Sequence, residues 1–374
     1  MNFYVAWVIF CIFSASFIFG FRKEKVEGNR EYNIDGLRYL LASLVVFHHH
    51  GYSENLVKVG VWGSSDPALA YAGTFGVAVF FMITGYLFGE IKKDTNWISF
   101  FIKRIFRIVP MCYVSSVACI VIAAYIGINN AWKINFNDFI YWFDGGVSGV
   151  RPVLFGYKYT NQINAGVTWT LYWEWVFYLS LPIISLLFNK RFTIGICISI
   201  IAVLINLSDY LKIPNLNSSF LLFFAIGILI RNIKSQYNYK TSSILTNSLA
   251  VAIMLYCIFL SNKHMAYNVL SALLIGVFFF FIASGVNLFG FITSKGSVLL
   301  GDASYSLYLT HGIGWFIMHK ITIHYGVNEN LIVYYVLQTL TWYAMCYISI
   351  KTYKYIERPF IKTGKKLSEK INTK

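Results

Sequence analysis

The sequence predicts an all-α fold, a polytopic bundle of membrane helices, and two observations carry that reading. Only 13% of the 374 residues are charged and 57% are hydrophobic, whereas a soluble chain carries about 25% charged residues. The mean hydropathy is +0.59. The apolar residues also fall into eleven separate stretches, roughly 3–20, 35–52, 70–91, 105–127, 168–188, 193–209, 216–231, 243–261, 267–288, 299–319 and 331–355. Each is near the length of about 20 residues that a membrane helix needs. Several contain glycine, which membrane helices tolerate. No Pro/Ser-rich linker, low-complexity block or internal repeat divides the chain.

The first stretch reads as a retained helix rather than a cleaved signal. Met1–Tyr4 has no basic side chain, and Arg22, Lys23 and Lys25 follow the apolar run instead of preceding it. Placing the loop after Phe21 inside and alternating from there puts 22 of the 31 Lys and Arg on inside loops and 7 on outside loops, with Arg38 and Lys351 within helices. This is the positive-inside pattern, and it predicts an N-out/C-in topology. The net charge of +15 therefore does not point to nucleic acid, because the basic residues form short clusters between spans and no single patch. Membrane lipids are the expected surroundings. Aromatics at 19% suit interfacial belts and also a sugar-binding surface. The six cysteines lie in or beside apolar stretches without a C-x-x-C pair, so neither a disulfide nor a metal is expected.

One long connection, about Ile128 to Val167, falls outside. It contains Trp132, Trp142, Asp144, Arg151, Tyr157 and Tyr159. Planar aromatics beside a few polar groups suit stacking on sugar rings, with Trp142 as a candidate. A lid lying on the membrane surface is the alternative.

Ionisable residues within spans are costly and mark candidate functional positions. The second stretch runs from Asp35, a candidate N-cap, through Arg38 to His48, His49 and His50. His49 lies eleven residues after Arg38, about 20° beyond three full turns and about 16 Å along the axis. It therefore shares a face with Arg38, while His48 and His50 point elsewhere as interfacial or supporting residues. The fifth stretch begins Thr168-Trp169-Thr-Leu-Tyr-Trp-Glu174. In the alternating topology Glu174 sits about two turns in, at a depth like that of His49. A His49–Glu174 pair would orient a general base; otherwise Glu174 bonds to nearby indole and hydroxyl groups. In the tenth stretch His311 reaches a similar level, as a site residue or as a hydrogen-bonded packing residue. Arg104 and Arg107 are neighbours on one helix face. They can grip phosphates or serve only as topogenic charges. No P-loop, G-x-S-x-G elbow, zinc spacing or dinucleotide fingerprint is present in a fitting context.

Taken in order, these motifs resemble the acyltransferase-3 family of transmembrane acyltransferases. They are Asp35-Gly-Leu-Arg38 followed by ten residues and His49, and Gly76-Val-Ala-Val-Phe-Phe-Met-Ile-Thr84-Gly85-Tyr-Leu. Next come Arg104-Ile-Phe-Arg107-Ile-Val-Pro110 and Trp169-Thr170-Leu-Tyr-Trp-Glu174. The last are Gly301-Asp-Ala-Ser-Tyr305-Ser-Leu-Tyr308-Leu-Thr-His311 and Ile356-Glu357-Arg358-Pro359. Thr84 and Thr170 stand where the family usually has Ser. The resemblance covers about residues 32–360 and implies a ten-helix acyltransferase core. Residues 1–31 then form an extra N-terminal transmembrane helix and basic loop, and 361–374 a basic cytoplasmic tail.

The resemblance implies transfer of an acyl group, usually acetyl, from acetyl-CoA in the cytoplasm to a hydroxyl of a surface glycan. O-antigen, capsule and peptidoglycan are the usual acceptors, and a multi-pass protein of the bacterial inner membrane is the expected setting. It makes Arg104 and Arg107, together with Arg38, expected contacts for coenzyme phosphates. His49 is then the expected base, oriented by Glu174, with direct attack and an acyl-histidine relay both open. His311, Tyr308 or Trp169 would donate to the developing oxyanion. No metal is expected, and a homo-oligomer stays open. The rival reading is a transporter or flippase for a glycan or lipid intermediate; a third keeps the enzyme with a small-molecule acceptor.

Overall fold

The computed structural model describes residues 3–21, 31–63, 69, 71–127, 135–187, 193–210, 218–237, 240–260 and 267–372. The basic residues Arg22, Lys23 and Lys25 and the loop residue Trp132 lie outside these. Most described residues are helical, and none lies in a strand. The helices are α1 (Phe3–Gly20), α2 (Tyr32–Val59), α3 (Ala72–Leu87), α4 (Trp97–Ile126), α5 (Phe136–Trp142), α6 (Trp169–Leu187) and α7 (Thr193–Tyr210). They continue with α8 (Ser218–Tyr237), α9 (Ile244–Leu255), α10 (Val269–Ala283), α11 (Lys295–Asp302), α12 (Ser304–His324), α13 (Leu331–Thr352) and α14 (Arg358–Asn372). Every one of the eleven apolar stretches corresponds to helix. Among the described residues four helical runs are long and apolar enough to cross a membrane by length and composition. These are Phe3–Gly20, Trp97–Ile126, Phe220–Tyr237 and Leu331–Asn372.

Local chemistry explains several helix ends. Asn96 starts α4 by accepting the Ser99 N–H at 3.0 Å, and Asn268 starts α10 by accepting the Ser271 N–H at 2.8 Å. Ser243 and Thr246 form a reciprocal capping box on α9. α2 differs from the expectation at both ends. Its N-cap is Glu31, without a side-chain cap bond, and Asp35 lies inside the first turn. At the other end it runs past the histidines to Val59 and stops at Gly60, whose φ of 71° is the left-handed C-cap conformation. Polar residues Tyr52 to Lys58 hid this extension from the hydropathy pattern.

α2 packs against α1, α3, α10, α11 and α12. Small residues allow the closest approaches. A Cβ at Gly36 would collide with the Ile292 carbonyl, and one at Gly301 with the Asp35 carbonyl. In the same way Gly85 meets the Phe224 carbonyl, while Gly227 meets the Met82 carbonyl, so α3 and α8 approach through reciprocal glycines. These contacts give a packing reason for the glycines of three sequence motifs.

The N-terminal helix is part of this bundle. Tyr39 donates to the Ile12 carbonyl at 2.7 Å, Trp342 Nε1 to the Cys11 carbonyl at 2.9 Å, and Trp7 Nε1 to Thr339 Oγ1 at 2.9 Å. At the other terminus the basic tail is helix α14, laid along α4. Ser99 Oγ donates to the Ser368 carbonyl at 3.1 Å and contacts Asn372 Oδ1 at 2.8 Å. All six cysteines are buried and none forms a disulfide.

The glycine contacts make a direct test. Gly36→Ala must overpack the α2 contact and should destabilise the protein by about 1–3 kcal/mol or more. A Cβ at Gly195 meets nothing within 4 Å, so Gly195→Ala should not lower stability. Thermal unfolding in detergent micelles measures both.

Candidate active site

The site is built on the facing sides of α2 and α12. Both carry histidines that a bundle of apolar helices must satisfy internally. His49 Nδ1 lies 3.0 Å from His311 Nε2, with the rings stacked at 5.2 Å. His311 Nδ1 lies 2.8 Å from the Tyr308 carbonyl. A carbonyl only accepts, so His311 carries its proton on Nδ1. Its Nε2 then accepts, and His49 Nδ1 must donate. The remaining nitrogen, His49 Nε2, holds a lone pair. The chain carbonyl–His311–His49 thus fixes the tautomer of His49 as a base.

The two flanking histidines have other partners. His48 Nδ1 donates to the Leu69 carbonyl at 3.1 Å. His50 Nε2 contacts Gln338 Oε1 at 2.5 Å, and His50 Nδ1 contacts the Tyr4 hydroxyl at 3.2 Å. Of the three, only His49 faces His311, as the helix geometry set it apart from its neighbours. That geometry did not find Trp62, whose ring lies along His49 at 6.1 Å and 27°, because Trp62 lies past the end of α2.

Glu174 is not the partner of His49. Its hydrogen bond is from Thr84 Oγ1, at 3.5 Å, and the charges acting on it are those of Arg107, Arg38 and Arg104. The depth estimate failed for a physical reason. The connection before α6 folds into the bundle, burying Ile163, Asn164 and Val167. Gly312, next to His311, lets the Asn164–Ala165 backbone in so closely that a Cβ there would collide with it. Ala165 takes φ 61° at this point, a conformation that costs a residue with a Cβ of order 1 kcal/mol. α6 consequently starts at the level of the histidines. Thr170 Oγ1 meets the Tyr308 hydroxyl at 3.0 Å, and Glu174 falls one turn further along, beside Arg38.

Arg38, Glu174, Thr170, Ser304, Tyr305 and Tyr308 line one cavity of about 70 Å³, walled by Phe80 and Phe81. Arg104 lies beside Glu174 and Tyr178, with its guanidinium over the Phe88 ring at 5.1 Å and the Phe100 ring at 5.8 Å. Tyr305 ties α12 to α4 by donating to the Ile108 carbonyl at 2.9 Å, within the Arg104–Pro110 motif. Glu357 completes this region and was not singled out as a site residue. It is 1% exposed, accepts from Ser306 Oγ, and feels the charges of Arg107 and Arg38. Its sequence signal was the Ile356-Glu357-Arg358-Pro359 motif just past the final apolar run. The arrangement has two parts: three arginines gathered with Glu174 and Glu357, and an imidazole pair about 16 Å from Arg38 along α2.

The aromatic candidates are placed differently. Tyr308 lines the cavity and leads to His311 through its carbonyl. Trp169 packs against Phe81, Phe220 and Tyr267. Trp142, expected to stack on sugar, is fully buried and donates from Nε1 to the Pro152 carbonyl at 3.1 Å. Asp144 and Arg151 form an ion pair at 3.1 Å, with no exposure of the Arg151 side chain. Asp144 also accepts the N–H groups of Gly146 and Ser148. The Asp144 and Arg151 charges are thus used internally. It is a packed cap over the His49 end of α2, held there by Tyr159 donating to the Gly60 carbonyl. Trp142→Ala should accordingly cost about 3–5 kcal/mol of stability while leaving the KM for a saccharide unchanged in the folded fraction. Thermal unfolding and steady-state kinetics on the same preparation separate these effects.

Comparison with known proteins agrees with the order of motifs. Residues 31–350 match the acyltransferase domain of the acyltransferase-3 family. Nodulation protein 10 of Rhizobium leguminosarum bv. viciae is 28% identical over 193 residues, which is 48% of this chain and 51% of that protein. BcsY of Komagataeibacter xylinus, named for a proposed membrane-bound transacylase activity, is 28% identical over 171 residues, 42% of this chain and 38% of that protein. The matches thus span about half or less of these curated relatives. No solved structure matches the chain. With most of its length matched, and its helices apolar as a membrane requires, the chain belongs to the acyltransferase-3 family of multi-pass membrane acyltransferases.

Proposed function

We propose that this protein transfers an acetyl group from cytoplasmic acetyl-CoA to a hydroxyl of a bacterial cell-surface polysaccharide, such as O-antigen or capsule, in the inner membrane. The His49–His311–Tyr308 carbonyl contacts carry the reading: acyl transfer to an alcohol needs a neutral base, and these contacts favour a lone pair on His49 Nε2. The arginines at the other end of the same helix suit the coenzyme phosphates. Among the relatives, the transacylase name of BcsY agrees with group transfer.

In this reading Arg104, Arg107 and Arg38 hold the phosphates, and the pantetheine arm runs past Tyr308 toward His49. Glu174 and Glu357 keep the arginines positioned rather than act on His49. The sugar hydroxyl gives its proton to His49 Nε2 as its oxygen bonds to the thioester carbonyl carbon. The tetrahedral intermediate collapses by breaking the C–S bond. The coenzyme thiolate leaves and takes the proton from His49, so product ester and free thiol balance the reaction. His311 steadies the imidazolium through its Nε2 and the Tyr308 carbonyl behind it. The cytoplasmic position of the arginines and the outward-facing histidines follow from the N-out/C-in charge pattern.

Purified protein supplied with acetyl-CoA and a glycan acceptor should release free thiol and add acetyl groups to the glycan, read by mass spectrometry. His49→Ala should lower kcat by about 10²–10⁴-fold. A folded His49→Ala protein of wild-type rate contradicts the base assignment, and absence of thioester consumption with every glycan extract favours transport instead. Arg104→Ala should raise the KM for acetyl-CoA about tenfold or more, the loss of one charge-assisted contact, with a smaller effect on the KM for the glycan.

A further inference from the structure

A second histidine cluster lies beside the His49–His311 pair and has no part in the proposed reaction. His50 and Glu54 stand one turn apart on α2, and His319 faces them from α12. Each offers one ligand atom, and these atoms lie within 4.8 Å of one another. We propose that His50, Glu54 and His319 bind one divalent transition-metal ion of the Zn²⁺ type, clamping α2 to α12.

The strongest observation is His319. It is fully buried, and its Nε2 has no hydrogen-bond partner among the described residues. Its other nitrogen, Nδ1, lies 3.1 Å from Ser53 Oγ. With its proton on Nδ1 and given to that hydroxyl, the ring presents a lone pair on Nε2. This is how a metal-bound imidazole is oriented by its outer partner. A buried nitrogen without a partner is unfavourable in an apolar bundle, and a bound cation removes that defect. The Trp315 ring is stacked with His319, 6.1 Å between centroids and 23° apart, and fixes its plane.

The other members fit the same purpose. The Glu54 carboxylate holds the Lys58 ammonium at 2.6 Å, so it already faces a cation. Lys58 is partly exposed and can swing to solvent when a metal takes that place. His50 Nε2 donates to Gln338 Oε1 at 2.5 Å; when the metal takes that proton's place, Nδ1 holds the proton against the Tyr4 hydroxyl at 3.2 Å and Gln338 Oε1 turns to supply a fourth ligand. Two imidazoles and one carboxylate suit Zn²⁺, Co²⁺ or Ni²⁺; Mg²⁺ and Ca²⁺ prefer all-oxygen sites. No spacing motif announces the cluster, since its ligands come from helices far apart in sequence. His50 adjoins His49, and His319 lies two turns beyond His311. A metal here would hold the two helices at the separation that the His49–His311 bond requires.

The test uses full-length protein in detergent, stripped with a chelator, exposed to Zn²⁺ and desalted. Mass spectrometry of the metal should find about one equivalent bound, as expected for a single site. Co²⁺ in place of Zn²⁺ should give the visible absorption of a four-coordinate centre. His319→Ala and the conservative Glu54→Gln should each weaken Zn²⁺ binding at least about tenfold, while His324→Ala, an exposed histidine on the same helix, should not. Size-exclusion chromatography checks folding, and if His319→Ala aggregates, Glu54→Gln decides. Failure of the wild-type protein to retain metal, or undiminished binding in folded Glu54→Gln, overturns the proposal. Metal content is read without any acyl transfer, so its outcome is independent of the proposed reaction.

Discussion

Polar groups inside an apolar bundle must satisfy one another, and the α2–α12 contact is where this constraint organises the molecule. Four of the seven histidines meet there: His49 with His311, and His50 near His319. Rotating or sliding either helix would break the His49–His311 contact. The Trp315 indole adds a further tie by donating to the Val46 carbonyl at 2.9 Å. The same contact sets the protonation state of His49, so stability and chemistry rest on one set of hydrogen bonds.

Distance along α2 then divides the site. One end gathers Arg38, Arg104 and Arg107 with Glu174 and Glu357; the other holds the neutral imidazole pair. Were Glu174 to contact His49, a carboxylate would stand beside the base and favour its charged form. Its placement among the arginines instead offsets their mutual repulsion. The internal cap made by residues 135–168 covers the histidine end, with Trp142 and the Asp144–Arg151 pair as its own small core.

Much of the architecture was legible in the sequence. Hydropathy marked each apolar helix, and the 100° step of an α-helix placed His49 on a different face from His48 and His50, which have different partners. What escaped had physical causes. The polar turns that extend α2 to Val59 carry no apolar signal. The descent of Asn164–Ala165 against Gly312 depends on a backbone contact between distant segments, so the depth of Glu174 was misjudged. Trp142 and Arg151 look like exposed loop residues until their partners are known. His319 and Gln338, polar residues spaced along apolar helices, reveal their roles only when α12 and α13 are set against α2.

The most direct measurement is a cryo-electron microscopy structure with a non-transferable acetyl-CoA analogue. The phosphates should lie against Arg104 and Arg107, with the carbonyl carbon near His49 and its Nε2 within about 3 Å of the acceptor oxygen position. Phosphates bound at the His49 end, or an acyl group remote from His49, would contradict the division of the site along α2.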